Sequence, residues 1–147
     1  MSAARTCFVD TNIFVYAYGF DDPEKHAPAR RLIRQLAETD SLLISAQVLS
    51  EFYNTLARKS REPLHQPMKR SPLALAQELA SFAVVPLDAE TALAAMALSE
   101  TSRISYWDAL IVEAALRGGA DVLYSEDLNH GQRFDSLVVE NPFHAAT

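Results

Sequence analysis

Four acidic residues, Asp10, Glu51, Asp108 and Asp127, stand where separate parts of the chain can bring them together. Asp10 ends a short apolar run from Thr6 to Val9, and helical spacing resumes beyond it through Ile13, Tyr16 and Ala17. That is the pattern of a buried strand, a tight turn and a helix. Asp127, with Glu126 beside it, follows a second such run, Val122-Leu123-Tyr124. Glu51 falls in the second turn of a helix entered from the strand Leu42-Leu43-Ile44, and Asp108 in the first turn of an apolar helix. Four carboxylates in one crevice repel one another, and a divalent cation resolves the repulsion. The chain has one cysteine, and His26, His65, His130 and His144 are scattered with no pair at short metal-binding spacing. Hard oxygen donors of this kind favour Mg²⁺ or Mn²⁺ over zinc. Such a site suits phosphodiester hydrolysis, since a bound cation lowers the pKa of water and offsets charge on phosphate oxygens.

Each acid also has a plainer reading. Asp10 is well suited to cap the helix it precedes. Asp108 lies three residues after Ser105, the spacing of a capping box. It is also flanked on the helical net by Ile104, Ile111, Val112 and Ala115, where a carboxylate is costly unless paired or bound to a cation. Glu51 falls on a polar side with Gln47, Asn54 and Arg58, opposite a stripe of Leu49, Phe52, Tyr53 and Leu56, and reads as a solvated side chain. Asp127 reads as a turn residue, and Glu126 is as well placed to be the functional acid.

The elements that must position these residues alternate. Asp22-Pro23 opens a helix running to about Glu38, with Ala29, Leu32, Ile33 and Leu36 as its apolar stripe. Pro28 implies either a kink or a later start. Ser45 caps the helix that carries Glu51 and ends near Lys59. The stretch from Arg61 to Pro72, with three prolines, reads as a loop. A helix from Leu73 to Phe82, the strand Ala83-Val84-Val85 and a helix opened by Asp88 or Thr91 follow. Ser105 opens a helix that is apolar around most of its surface, from Trp107 to Leu116, and is therefore central. Gly118-Gly119 ends it. Leu137-Val138-Val139 is the last strand, stopped at Asn141-Pro142. This order predicts an α/β sandwich with a largely parallel sheet, in which strand ends share one edge.

Length and charge bound the rest. At 147 residues, one domain spanning 1–147 is expected. The net charge of −6 argues against a general nucleic-acid coat, but it is unevenly placed. Up to Arg70, ten Lys or Arg face eight acids; beyond it, three Arg face eleven. A basic half beside an acidic site suits a polyanion substrate. Cys7 is expected to be a buried, inert thiol. No signal peptide and no apolar segment of bilayer length is found, so a cytoplasmic protein is expected, with no membrane partner.

Taken together, four segments resemble the PIN-domain ribonucleases, and among them the VapC-type toxins of bacterial toxin-antitoxin pairs. They are Phe8-Val9-Asp10-Thr11-Asn12, Val48-Leu49-Ser50-Glu51-Phe52, Tyr106-Trp107-Asp108-Ala109-Leu110-Ile111 and Leu123-Tyr124-Ser125-Glu126-Asp127-Leu128. Gly131-Gln132-Arg133-Phe134 and Asn141-Pro142-Phe143 add to the likeness, which covers nearly the whole chain. The resemblance implies a PIN-like three-layer α/β/α sandwich. It implies that Asp10, Glu51, Asp108 and Asp127 are the acidic, metal-binding and catalytic set, supported by Asn12 and Ser125. Either Glu126 or Asp127 is the last acid. The implied activity is Mg²⁺- or Mn²⁺-dependent endonucleolytic cleavage of RNA, often tRNA or ribosomal RNA. The implied partners are a second copy, as a homodimer, and a small VapB-type antitoxin. Arg30, Arg31, Arg34, Arg58, Lys59, Arg61, Lys69 and Arg70 are candidates to hold RNA by its phosphates.

Other phosphate chemistries fit less well. An aspartate-nucleophile phosphatase of the haloacid-dehalogenase type needs a second Asp where this chain has Asn12, and a late Lys, of which there is none after Lys69. A phospho-accepting receiver domain fails on the same missing Lys. The alternative from a different class is a non-catalytic domain of PIN-like fold that only binds RNA or a partner.

Overall fold

The computed structural model describes residues 5–39, 41–62 and 68–144. Residues 63–67 of the proline-rich loop, His65 among them, lie outside this set. Among the described residues, six short strands are linked by six helices. The strands are β1 (Cys7–Val9), β2 (Leu42–Ser45), β3 (Ala83–Val85), β4 (Val122–Tyr124), β5 (Arg133–Phe134) and β6 (Leu137–Glu140). The helices are α1 (Thr11–Ala17), α2 (Pro23–Glu38), α3 (Ala46–Lys59), α4 (Pro72–Leu79), α5 (Ala89–Ser102) and α6 (Tyr106–Arg117).

The strands β1, β2 and β4 are buried at every residue, as strands covered on both faces must be. They form one sheet in the order β3-β2-β1-β4-β6-β5, parallel except for the terminal β5–β6 pair. Cys7 pairs with Leu42 on one side and Val122 on the other; Val9 pairs with Tyr124. The chain steps outward from β1 to β2 to β3, then crosses back over the sheet to β4 and continues the other way to β6. Right-handed crossovers in opposite directions put their helices on opposite faces. The helices α1 to α4 accordingly pack with one another, and α5 packs with α6. The result is the three-layer α/β/α sandwich, with its topological switch point between β1 and β4.

Local chemistry sets the helix starts. Asp10, Asp22, Ser45, Ser71, Asp88 and Ser105 each cap a helix with a side-chain oxygen, and each such cap contributes about 1 kcal/mol. Asp88, rather than Thr91, caps α5. Pro28 lies inside α2, which begins at Pro23 all the same. The core runs along the sheet and includes Phe8, Phe14, Phe52 and Leu123, all fully buried. No described helix is long and apolar enough to cross a membrane.

Three expectations fail in detail. Tyr53 is 46% exposed rather than part of the α3 stripe, whose buried side is Val48, Phe52, Leu56 and Ala57. Trp107, in the first turn of α6, is 64% exposed and packs edge to face with Tyr106. The antiparallel strand β5 is missed, since two residues carry no period.

Candidate functional site

Asp10 is both a cap and a candidate functional acid. Its N–H donates to Tyr124 O at 3.0 Å, which fixes the end of β1 against the end of β4. Its Oδ1 accepts from Thr11 N–H at 2.7 Å, and its Oδ2 accepts from the Ser125 hydroxyl at 2.9 Å. That second bond spans the switch point, and both side chains are buried. Ser125 Oγ in turn accepts from Asp127 N–H at 3.2 Å, shaping the turn after β4.

Glu51 is not the solvated side chain of the plain reading. The Thr11 hydroxyl donates to its Oε2 at 2.8 Å, and Gln47 Nε2 donates to its Oε1 at 2.7 Å. Gln47, buried, also donates to Trp107 O at 3.2 Å, tying α3 to the start of α6. Thr11 and Gln47 therefore belong to the site, although neither stands out in sequence. The only available sign was the spacing of Gln47, one helical turn before Glu51. Asp108 is half-buried in the first turn of α6, its N–H donating to Ser105 Oγ at 3.1 Å. Among the described residues no hydrogen bond reaches its carboxylate, so only half of the capping box forms. Asn12, half-buried, occupies the second position of α1.

The carboxylates act on one another. Burial pushes the Asp10 carboxyl up to about 7; its bonds from Thr11 and Ser125 oppose this, and the charges of Asp127 and Glu51 add to it. Asp127, exposed in part, is also raised, by its partial burial and by Asp108, Glu126 and Glu51, with Lys25 opposing. All four acids thus lie within electrostatic reach of a common region at the carboxyl ends of β1 and β4. Glu126 is differently placed. Its oxygens accept from the Tyr16 hydroxyl and from Lys25 Nζ.

The donor set suits a hard divalent cation: carboxylate oxygens only, two of them raised in pKa by burial and by one another. The side chains do not form a closed cage. Among the described residues no three His, Cys, Asp or Glu are grouped so as to hold a metal ion where they lie.

The candidate phosphate-binding residues do not gather at the acids. Arg30, Arg34 and Arg70 line a groove of about 660 Å³ with Tyr18, Gly19 and His26, at the far end of α1 from Asp10. Arg70 pairs there with Glu78 at 2.9 Å. Lys59 pairs with Asp21. Arg31, Arg58, Arg61 and Lys69 are exposed. The histidines are less scattered than their spacing suggests, for His130 and His144 stack with ring centroids 4.3 Å apart.

Known proteins share this arrangement of elements. The chain is similar to the structure of VapBC2 from Rickettsia felis bound to a promoter DNA fragment, at 22% identity over 92% of this chain and 98% of that one, with a TM-score of 0.64. It is similar to VapC20 of Mycobacterium tuberculosis, a sarcin-ricin loop cleaving toxin, at 19% identity over 82% and 88%, with a TM-score of 0.59. A toxin-antitoxin complex from Klebsiella pneumoniae matches at 15% identity over 95% and 100%, with a TM-score of 0.69. At these identities the likeness is one of fold. No curated protein matches in sequence. The PIN domain family model matches residues 7–133, which takes in all four acids and the strands β1 to β4, and the chain therefore belongs to the PIN domain family.

Proposed function

We propose that the protein is a divalent-cation-dependent endoribonuclease, the VapC-type toxin of a toxin-antitoxin pair, acting on structured RNA such as tRNA or ribosomal RNA. One observation carries the reading. Four carboxylates from four separate segments lie toward the carboxyl ends of β1 and β4, where the charges of Asp127 and Glu51 act on Asp10 and those of Asp108 and Glu51 act on Asp127. A domain that only bound RNA would have no use for carboxylates massed where phosphate must approach.

Asp10, Asp108 and Asp127 would hold Mg²⁺ or Mn²⁺, with Glu51 completing the set. When bound, the cation supplies an activated water and offsets charge on the phosphate oxygens. The remaining chemistry belongs to the chain. Ser125 and Thr11 N–H fix the Asp10 carboxylate. Thr11 and Gln47 fix both oxygens of Glu51, which leaves that carboxylate oriented to hold or accept a proton from the attacking water. Asp127 serves as the last acid, because Glu126 is engaged by Tyr16 and Lys25.

Two partners follow from the same reading. The groove of Arg30, Arg34 and Arg70 is the candidate seat of a small VapB-type antitoxin. A second copy of the chain would cover the apolar surface of Leu87, Leu93, Met96 and Trp107, each about half exposed or more. The structural relatives crystallised as VapBC and toxin-antitoxin complexes are consistent with a protein partner.

Cleavage of total bacterial RNA by the purified chain, with Mg²⁺, Mn²⁺ or EDTA, tests the activity. Discrete fragments are expected with either metal and none with EDTA or with Asp108→Asn. Metal-independent cleavage, or full activity in Asp108→Asn, would refute it.

A further inference from the structure

Lys25 is held unusually firmly for a lysine. It lies in the first turn of α2, and its ammonium donates to Glu126 Oε2 at 2.6 Å. It also lies over two aromatic rings, 5.0 Å from the centroid of Tyr16 and 5.2 Å from that of Phe143. Those rings meet edge to face at 5.5 Å. The Tyr16 hydroxyl donates to the other oxygen of Glu126, so α1, α2, the turn after β4 and the segment after β6 all converge on one cation. A free lysine side chain loses much rotamer freedom when a ligand fixes it; here the fold has already fixed it.

The position matters as much as the restraint. Glu126 is the neighbour of Asp127, and the Lys25 charge reaches the Asp127 carboxyl. The largest charge effects on Asp10 and Asp127 come from neighbouring acids and, at Asp127, from Lys25. A carboxylate cluster repels an incoming polyanion, and a cation at its rim offsets that repulsion. The Lys25 side chain is 30% exposed, and an ammonium has three donors, so pairing with Glu126 leaves capacity for a phosphate oxygen.

Building on the nuclease reading, we propose that Lys25, set in place by Glu126, Tyr16 and Phe143, is a substrate-positioning residue that grips a backbone phosphate of the RNA at the rim of the acidic site. Glu126 acts through Lys25 and is a positioning residue, not a ligand of the cation.

The test uses Lys25→Gln, Lys25→Arg and Glu126→Gln. Each is compared with the native chain in cleavage of total bacterial RNA. Each is also compared in the Asp108→Asn background for binding a labelled RNA oligonucleotide of mixed sequence over a salt series. Lys25→Gln is expected to raise KM about tenfold with kcat little changed, and to lower the slope of log affinity against log salt by about one. Lys25→Arg, which keeps the charge, is expected to restore the slope. Glu126→Gln is expected to raise KM less than Lys25→Gln does. A lower melting temperature in Lys25→Gln with KM and salt slope unchanged would overturn the proposal, leaving the pair as a staple between α2 and the β4 turn. A native chain that neither cleaves nor binds RNA is a distinct result, which would refute the nuclease reading and this proposal with it.

Discussion

At the scale of single residues, Asp10 carries the most consequence. Its carboxyl, pushed up to about 7 by burial, keeps its proton in the folded chain well above the 3.8 at which an ordinary Asp releases it. Between those values the folded state binds more protons than the unfolded one, so stability falls as pH rises from about 4 to about 7. The metal-free melting temperature should therefore drop across that window, and Asp10→Asn should flatten the drop. A melting curve that rises through the window in the native chain would contradict the burial argument. Thr11 offers a second test, since its hydroxyl holds Glu51 Oε2. Thr11→Val keeps the shape and removes the donor; a loss of about 1–2 kcal/mol in denaturant unfolding is expected. RNA cleavage should fall with it. Asp10, Asp108 and Asp127 were legible because each follows a strand or opens a helix, and Glu51 because it lies in the second turn of a helix entered from a strand. Thr11, Gln47 and Lys25 were not, because their importance lies in partners 40, 60 and 101 positions away.

At the scale of elements, caps and apolar runs were easy to read, and most helix starts follow from one capping oxygen. What local pattern cannot give is which side of an element meets its neighbours. Tyr53 and Trp107 both look like core residues by type and spacing, and both are exposed. The close of α6 shows the opposite case, a residue whose smallness is demanded by its neighbours. A Cβ on Gly118 would come within 2.3 Å of Leu43 Cδ2 and 2.8 Å of Val85 Cγ2. Leu43 and Val85 are themselves buried in the core, so they have little room to yield. Gly118→Ala should then destabilise by about 1–3 kcal/mol, although its backbone (φ −78°) accepts Ala without strain. Thermal or urea unfolding checks this; an unchanged midpoint would mean that β2 and β3 shift freely against α6.

At the scale of the whole molecule, the reversal of direction between β3 and β4 builds the site. It leaves a crevice between the carboxyl ends of β1 and β4, and Asp10 and Ser125 join hands across it. Most basic residues of the first half lie on α2, on α3 and in the segment after α3, and three of its arginines gather in the groove beside α1. Lys25 places a cation at the acidic rim. The account stands on the acids taking up a divalent cation together. The most direct test is Mn²⁺ binding by titration calorimetry with the native chain, Asp10→Asn, Asp108→Asn, Asp127→Asn and Glu126→Gln, near pH 7.5. The account predicts binding by the native chain, at least about tenfold weaker binding in each of the three Asp variants, and nearly native binding in Glu126→Gln. Native affinity in all three Asp variants, or its loss only in Glu126→Gln, would contradict it.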